Sequence, residues 1–220
     1  MQWLRRPPVV HPSSVTHRTT DELLAGVADV RRSPPDDGTV ELIVCRPARG
    51  EREVLDAADL DLVEGLIGDM WRTKPSSKTA DGSPHPDMQI TLMNARFAAL
   101  VAVDPERRAL AGDQLYVDLD LGTANLPPGT RLELGAAVIE ITAIPHTGCA
   151  KFRRRFGDDA AELVLTPLGR ELNLRGVMAR VVVPGTVKTG DTARKLVPYA
   201  PAELERSSDA DIAGGDGAVR

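Results

Sequence analysis

Apolar and polar residues alternate with a period of two along much of this chain, and that pattern predicts strands more often than helices. Residues 39–45 predict a strand, and Cys45 lies in its apolar run Leu42-Ile43-Val44-Cys45 as a strand residue. Residues 89–93 predict another strand. Residues 115–121 alternate cleanly, apolar on the odd positions and polar on the even ones, as a half-buried strand does. Pro127-Pro128-Gly129 turns the chain into residues 130–134, and Gly135-Ala136 predicts a tight hairpin into residues 137–144. Val177–Val183 is a β-branched run ended by Pro184-Gly185, and residues 186–188 are placed to return beside it. Helical spacing is rarer. Asp21 is a suitable N-cap for a short helix carrying Leu23, Leu24, Val27 and Val30, which residues 33–38 break. Asn94 is placed to cap a second helix bearing Phe97, Leu100 and Val101, which Asp104-Pro105 stops. Many short strands with Pro and Gly turns predict a mainly β protein, a closed or nearly closed β-barrel with a few short helices.

The domain is expected over residues 38–200. Residues 1–37 are expected to be a mobile lead-in with one short helix, and residues 201–220 a disordered tail. The 220 residues are enough for one sizeable core. With 42% hydrophobic and 27% charged residues, the composition is that of an ordinary soluble protein. A net charge of −5 argues against general nucleic-acid binding, though it leaves room for a local basic patch. No apolar run approaches the roughly 20 residues that span a bilayer, and the N-terminal residues lack the apolar core of a signal peptide. The two cysteines, Cys45 and Cys149, make no disulfide framework. A cytoplasmic protein with reduced thiols and no membrane or nucleic-acid partner is the expectation.

Chemistry concentrates in Pro145-His146-Thr147-Gly148-Cys149-Ala150-Lys151-Phe152. Pro145 is expected to end the preceding strand, Gly148 to permit a bend or a close backbone approach, and residues 150–156 to form a short helix. Cys149 then lies at a helix N-terminus beside Lys151 and the Arg153-Arg154-Arg155 run. Both features favour a thiolate, and together they are expected to lower the thiol pKa from about 8.5 by roughly one to two units. Three successive helix residues cannot share one face, so Arg153, Arg154 and Arg155 are each expected to be solvated or ion-paired rather than catalytic. His146 is a general acid, a ligand neighbour, a supporting hydrogen-bond donor or only a strand-end hydrogen bonder. The other histidines, His11, His17 and His85, are too scattered to form a zinc set.

Several motifs in order extend this reading. They are Glu64-Gly65-Leu66-Ile67-Gly68-Asp69, Gly112-Asp113-Gln114-Leu115, the hairpin 129–135, the Cys149 segment, Leu174-Arg175-Gly176 and residues 184–191. Together they resemble the MOSC domain of molybdenum cofactor sulfurases, stand-alone bacterial proteins and amidoxime reductases, over about residues 39–191. The resemblance implies a barrel whose cleft holds Cys149 as a molybdenum ligand in a pterin cofactor or as a persulfide carrier. A soft thiolate suits either role. It implies a small-molecule substrate and a separate partner, either a cysteine desulfurase supplying sulfur or an electron-donor protein. The reaction would be reduction of N-hydroxylated compounds or, without catalysis, sulfur transfer for cofactor assembly. A third option is a module binding an anionic metabolite, with the cysteine incidental. For the cofactor's phosphate and pterin, Lys151, Arg175 and Arg180 are candidates by type and position, with neutralisation of surface acids as the alternative. Asp69, Asp113, Gln114 and Asn125 either shape the pocket or make turn hydrogen bonds. The chain is expected to carry no pyridoxal phosphate site, flavin, haem or iron–sulfur motif. Gly112-Asp113-Gln114-Leu115 departs from the Gly-Glu-Asn-Leu form common among stand-alone members.

Overall fold

The computed structural model describes residues 16–196, so the regions expected as the start of the lead-in, with His11, and as the tail lie outside the described residues. The strands are β1 (Gly38–Cys45), β2 (Glu53–Leu55), β3 (Ala57–Asp61), β4 (Gly65–Leu66), β5 (Ile90–Asn94), β6 (Leu115–Asp118), β7 (Arg131–Leu134), β8 (Ala137–Ile141), β9 (Val177–Val183), β10 (Gly185–Lys188) and β11 (Thr192–Leu196). Seven of them close a ring in the order β11-β7-β8-β9-β5-β6-β1, and β1 pairs back to β11. The fold is therefore a closed, mixed seven-stranded barrel, as the strand pattern led us to expect. β2 hangs from β1, and β10, β3 and β4 form a small separate sheet.

Only one neighbouring pair in the ring, β5 with β6, is parallel. A parallel pair needs a crossover, which helix α2 (Ala95–Ala102) and the 3-10 turn Pro105–Ala111 supply. Asn94 Oδ1 accepts the Phe97 amide and caps α2 as expected. Its Nδ2 donates to Ser33 Oγ and to the Leu119 carbonyl, so one side chain ties helix, loop and strand together.

The alternation sorts side chains between two cores. Ile43, Leu92, Leu115 and Val117 fill the barrel. Val44, Met93 and Tyr116 face outward, yet stay buried beneath the helices. That outer layer is completed by α1 (Thr20–Val30), α3 (Ala150–Phe156), α4 (Asp158–Leu163) and α5 (Pro167–Glu171).

Several expectations are corrected. Thr19, not Asp21, caps α1 through a reciprocal bond with Glu22, and Leu24 is exposed while Leu23, Val27 and Val30 are buried. The strand from residue 115 ends at Asp118 rather than 121. β8 ends at Ile141, so Pro145 lies in the following loop and does not terminate the strand. β10 does not return along β9 but pairs with β3. The closing strand β11 has a weak pattern, Thr-Ala-Arg-Lys-Leu, and takes its order from pairing with β7 and β1.

Candidate functional site at the Cys149 turn

The loop after β8 delivers Cys149 to the N-cap of α3, where the thiol is exposed and makes no capping bond. Gly148 serves a close approach, since a Cβ there would lie 3.2 Å from Val164 Cγ2. Phe152 and Phe156 key α3 into the outer core, with ring centroids 5.0 Å apart. Their burial fixes the direction of the arginines. Arg153 turns outward to Asp158 and Glu162. Arg155 turns inward and donates to the Leu110 carbonyl at 2.6 Å. Arg153 is thus ion-paired as expected, whereas Arg155 is neither solvated nor ion-paired but bonded to a backbone carbonyl.

Arg155 belongs to a larger arrangement. Three successive carbonyls at the end of the 3-10 turn each accept a different guanidinium. Leu110 takes Arg155, Ala111 takes Arg175 at 3.2 Å, and Gly112 takes Arg46 at 3.0 Å. Gly112 has φ of +95°, and a Cβ there would sit 3.2 Å from Arg52 Nη2 and 3.9 Å from Arg155 Nη1. A glycine at this point lets the guanidinium groups converge.

Beneath them Asp113, fully buried, receives Arg175 Nη1 on Oδ2 at 2.7 Å. Arg175 also stacks 5.1 Å over the Phe152 ring. The other carboxylate oxygen, Oδ1, lies 3.4 Å from His146 Nδ1, but the geometry is not that of a hydrogen bond. Gly176, at φ +103°, leaves the space His146 occupies: a Cβ there would come within 3.2 Å of Nδ1. Burial, reinforced by the Arg175 charge and opposed by Asp113, pushes the His146 pKa from 6.5 down to about 3. At neutral pH His146 is therefore an uncharged imidazole, a hydrogen-bonding group rather than an imidazolium acid.

Several cations lie around the Cys149 turn. Arg49, Arg52, Lys74, Lys151 and Arg155 form no ion pair among the described residues. Burial, then the Arg49, Arg155 and Arg52 charges, push the Lys151 pKa down, and Cys149 acts in the opposite sense. Burial followed by Arg155 and Arg46 lowers Arg52. Arg155 is lowered by burial and Arg154, and again opposed by Cys149. These effects place Arg49, Arg52 and Arg155 within electrostatic reach of Lys151, and Lys151 and Arg155 within reach of the thiol.

The remaining candidates are structural ties. Gln114 accepts from Thr91 through Oε1 and donates to the Gln89 carbonyl through Nε2. Asp69 is saturated by Nε and Nη2 of Arg46 and by the amides of Arg46 and Trp71. Arg180 pairs with Glu140 and Asp87 on the barrel exterior, which is the neutralising alternative, and shares no contact with the Cys149 group. Asn125 bonds Pro35, Asp120 and Lys195, also apart from that group. Cys45 is buried in β1, and burial pushes its thiol up to about 11, an inert strand residue. Arg46, Arg49, Arg52 and Lys74 escaped the sequence reading. Their only signal is the basic spacing Arg46, Arg49, Arg52 in a loop, which has meaning once the loop faces α3.

No family model and no curated protein matches the sequence. Solved structures do. The YuaD protein from Bacillus subtilis superposes with a TM-score of 0.52 at 19% identity, covering 71% of this chain and 93% of that one. YiiM from Geobacillus stearothermophilus gives 0.52 at 12% identity, covering 75% and 78%. The fold is of the MOSC type. At these identities the likeness concerns the barrel alone. Within this MOSC-type barrel, no three His, Cys, Asp or Glu side chains among the described residues gather to hold a metal ion. No helix among them is long and apolar enough to cross a membrane.

Proposed function

We infer that the protein binds an anionic cofactor of the molybdopterin type at the Cys149 turn and handles molybdenum or sulfur through that thiol. The observation that carries this reading is the exposed thiol at the head of α3, overlooked by cations that have no acid partner among the described residues. A phosphate-bearing group fits such a cluster, because guanidinium forks match oxyanion geometry. His146 Nδ1 and Asp113 Oδ1, buried 3.4 Å apart without hydrogen bonds, form a polar floor beneath the cations. The protein's own contribution to a metal would be a single soft thiolate. Lys151, Arg52 and Arg155 would hold the phosphate, with Arg175 and Asp113 fixing the floor beneath His146.

When bound, the cofactor would supply a two-electron redox centre for reducing an N-hydroxylated small molecule. Electrons would then come from a separate donor protein. The deciding measurement is molybdenum content after expression in a cofactor-producing host. Stoichiometric metal is expected in the wild type and its loss in Cys149→Ala. A wild type without metal, or full retention in the variant, overturns the reading. The exposure of Cys149 also favours a second reading, a persulfide carrier served by a cysteine desulfurase. Its sign would be the gain of one sulfur atom on Cys149 after incubation with such an enzyme.

A further inference from the structure

His146 Nδ1 and Asp113 Oδ1 lie 3.4 Å apart, and both are buried without a hydrogen bond. Asp113 is held from its other side, where Oδ2 receives Arg175 Nη1 at 2.7 Å. As the partner of a guanidinium it is a carboxylate, whose oxygens accept and never donate. Arg175 Nε and Tyr116 Oη, two further polar atoms within reach of Asp113, make no bond to Oδ1. A proton between Oδ1 and Nδ1 must therefore come from the ring. Were Nδ1 bare, two lone pairs would oppose each other in a buried place, each with its desolvation cost unrelieved. A doubly protonated ring is disfavoured by burial and then by the Arg175 charge, which outweigh Asp113. A neutral ring protonated on Nδ1 removes the conflict, and a small rotation brings the pair to ordinary hydrogen-bond length. Gly176 backs this edge of the ring, since a Cβ there would come within 3.2 Å of Nδ1. The far nitrogen is placed differently. The His146 side chain is 10% exposed, and Nε2 is neither a buried orphan nor bonded to any described residue. Nε2 thus lies on the exposed edge of the ring, in the loop that ends at Cys149.

We propose that Asp113 locks His146 in the Nδ1–H tautomer, so that Nε2 accepts the hydroxyl hydrogen of an N–OH ligand. The choice of an N-hydroxylated ligand rests on the functional reading above, whereas the tautomer stands without it. Asp113 is the positioning residue and His146 the one that meets the ligand. The proton on one ring nitrogen is fixed by the partner it faces, and the other nitrogen is left as an acceptor. Such an acceptor favours a ligand that brings a hydrogen. It disfavours one whose N–O oxygen is alkylated, because its lone pair is then left facing carbon. Cations read only charge, so this selectivity has to come from a neutral group whose proton has a fixed place.

The full chain is labelled with nitrogen-15 histidine, and its ring nitrogens are read by long-range proton–nitrogen NMR at pH 7. The His146 signals are assigned by their loss in His146→Gln. A protonated Nδ1 with a bare Nε2 is expected, and a bare Nδ1 or two protonated nitrogens overturns the proposal. Asp113→Asn gives the test a direction. Arg175 keeps the amide oxygen on its own side, so the amide nitrogen faces His146 and donates to Nδ1. The tautomer should invert, an outcome that a purely structural role for Asp113 would not produce. A folded variant that keeps Nδ1–H overturns the positioning role, and if the variant does not fold the wild-type tautomer decides alone. Benzaldehyde oxime and its O-methyl ether are then titrated into the protein from the cofactor-producing host. The oxime should shift the Nε2 resonance and bind about fivefold or more tighter than the ether, as one hydrogen bond allows. Equal binding of the two overturns the ligand assignment. Metal analysis of the same preparations keeps the two readings apart. An Nε2–H tautomer in a protein that binds molybdenum through Cys149 sinks this inference alone. An Nδ1–H tautomer in a protein without molybdenum sinks only the cofactor reading.

Discussion

Arg175 looks from the sequence like a cofactor ligand, and the structure gives it a different task. One terminal nitrogen meets Asp113 and the other the Ala111 carbonyl, while its face lies on Phe152. The pair is buried, so removing one partner strands the other. Asp113→Ala is expected to cost about 3–5 kcal/mol, read as a lower urea midpoint. His146 carries a second residue-scale consequence. Its pKa in the folded chain is about 3, against an ordinary value of 6.5. As pH falls below 6.5, the unfolded chain binds this proton first, so stability is full above that value and declines down to about pH 3. The slope from this one group is at most about 1.4 kcal/mol per pH unit. His146→Gln should flatten the fall in urea midpoint between pH 7 and 5, and an unchanged slope would count against a buried neutral imidazole. Sequence indicated which residues carry charge here but not which charges face each other. That pairing depends on bringing β1, the 3-10 turn and α3 to one end of the barrel.

Among the elements, those with a strong local rule were legible. The Asn94 cap, the hairpin between β7 and β8, the α3 helix headed by Cys149 and the β-branched β9 all stand where their patterns placed them. The missed strands are short or polar. β4 has two residues and β11 a single strongly apolar side chain, and both are strands because a neighbour offers its edge. Residues 158–171 form two short helices around Pro167, too brief for a helical period to show. The turn before β9 offers a sharp test of the geometry. Gly176 has φ of +103°, and a Cβ would fall 2.1 Å from the Leu92 carbonyl oxygen of β5. The backbone conformation alone costs a side chain about 1–3 kcal/mol, so Gly176→Ala should lose about 3 kcal/mol or more by urea denaturation. It should also disturb His146, visible as a shifted imidazole resonance in NMR spectra.

At the scale of the whole molecule, net charge and local charge disagree in sign. The chain carries −5 overall, yet Lys151 and Arg155, in no ion pair among the described residues, lie within electrostatic reach of its exposed thiol. A free thiol reacts faster with neutral iodoacetamide than with anionic iodoacetate. Cys149 should show the preference reduced or reversed at low salt, and rising ionic strength should restore it as the Debye length shrinks to about 8 Å at physiological salt and below that beyond it. The measurement is the ratio of the two alkylation rates across a salt series, and a ratio indifferent to salt would deny that reach. The ring itself has a consequence for how the protein is made. Its first strand, β1, must pair with its last, β11, where Gly38 faces Ala193 and Thr39 faces Thr192. Contacts between such distant parts of a chain are slow to form, because loop closure comes before any gain from pairing. During synthesis the emerging barrel stays open along that seam, exposing the edges of β1 and β7, until the final strand leaves the ribosome. The end that carries Cys149 can be assembled earlier than the cylinder that supports it, so the last few residues of the domain set the moment at which the nascent chain becomes safe from edge-to-edge aggregation.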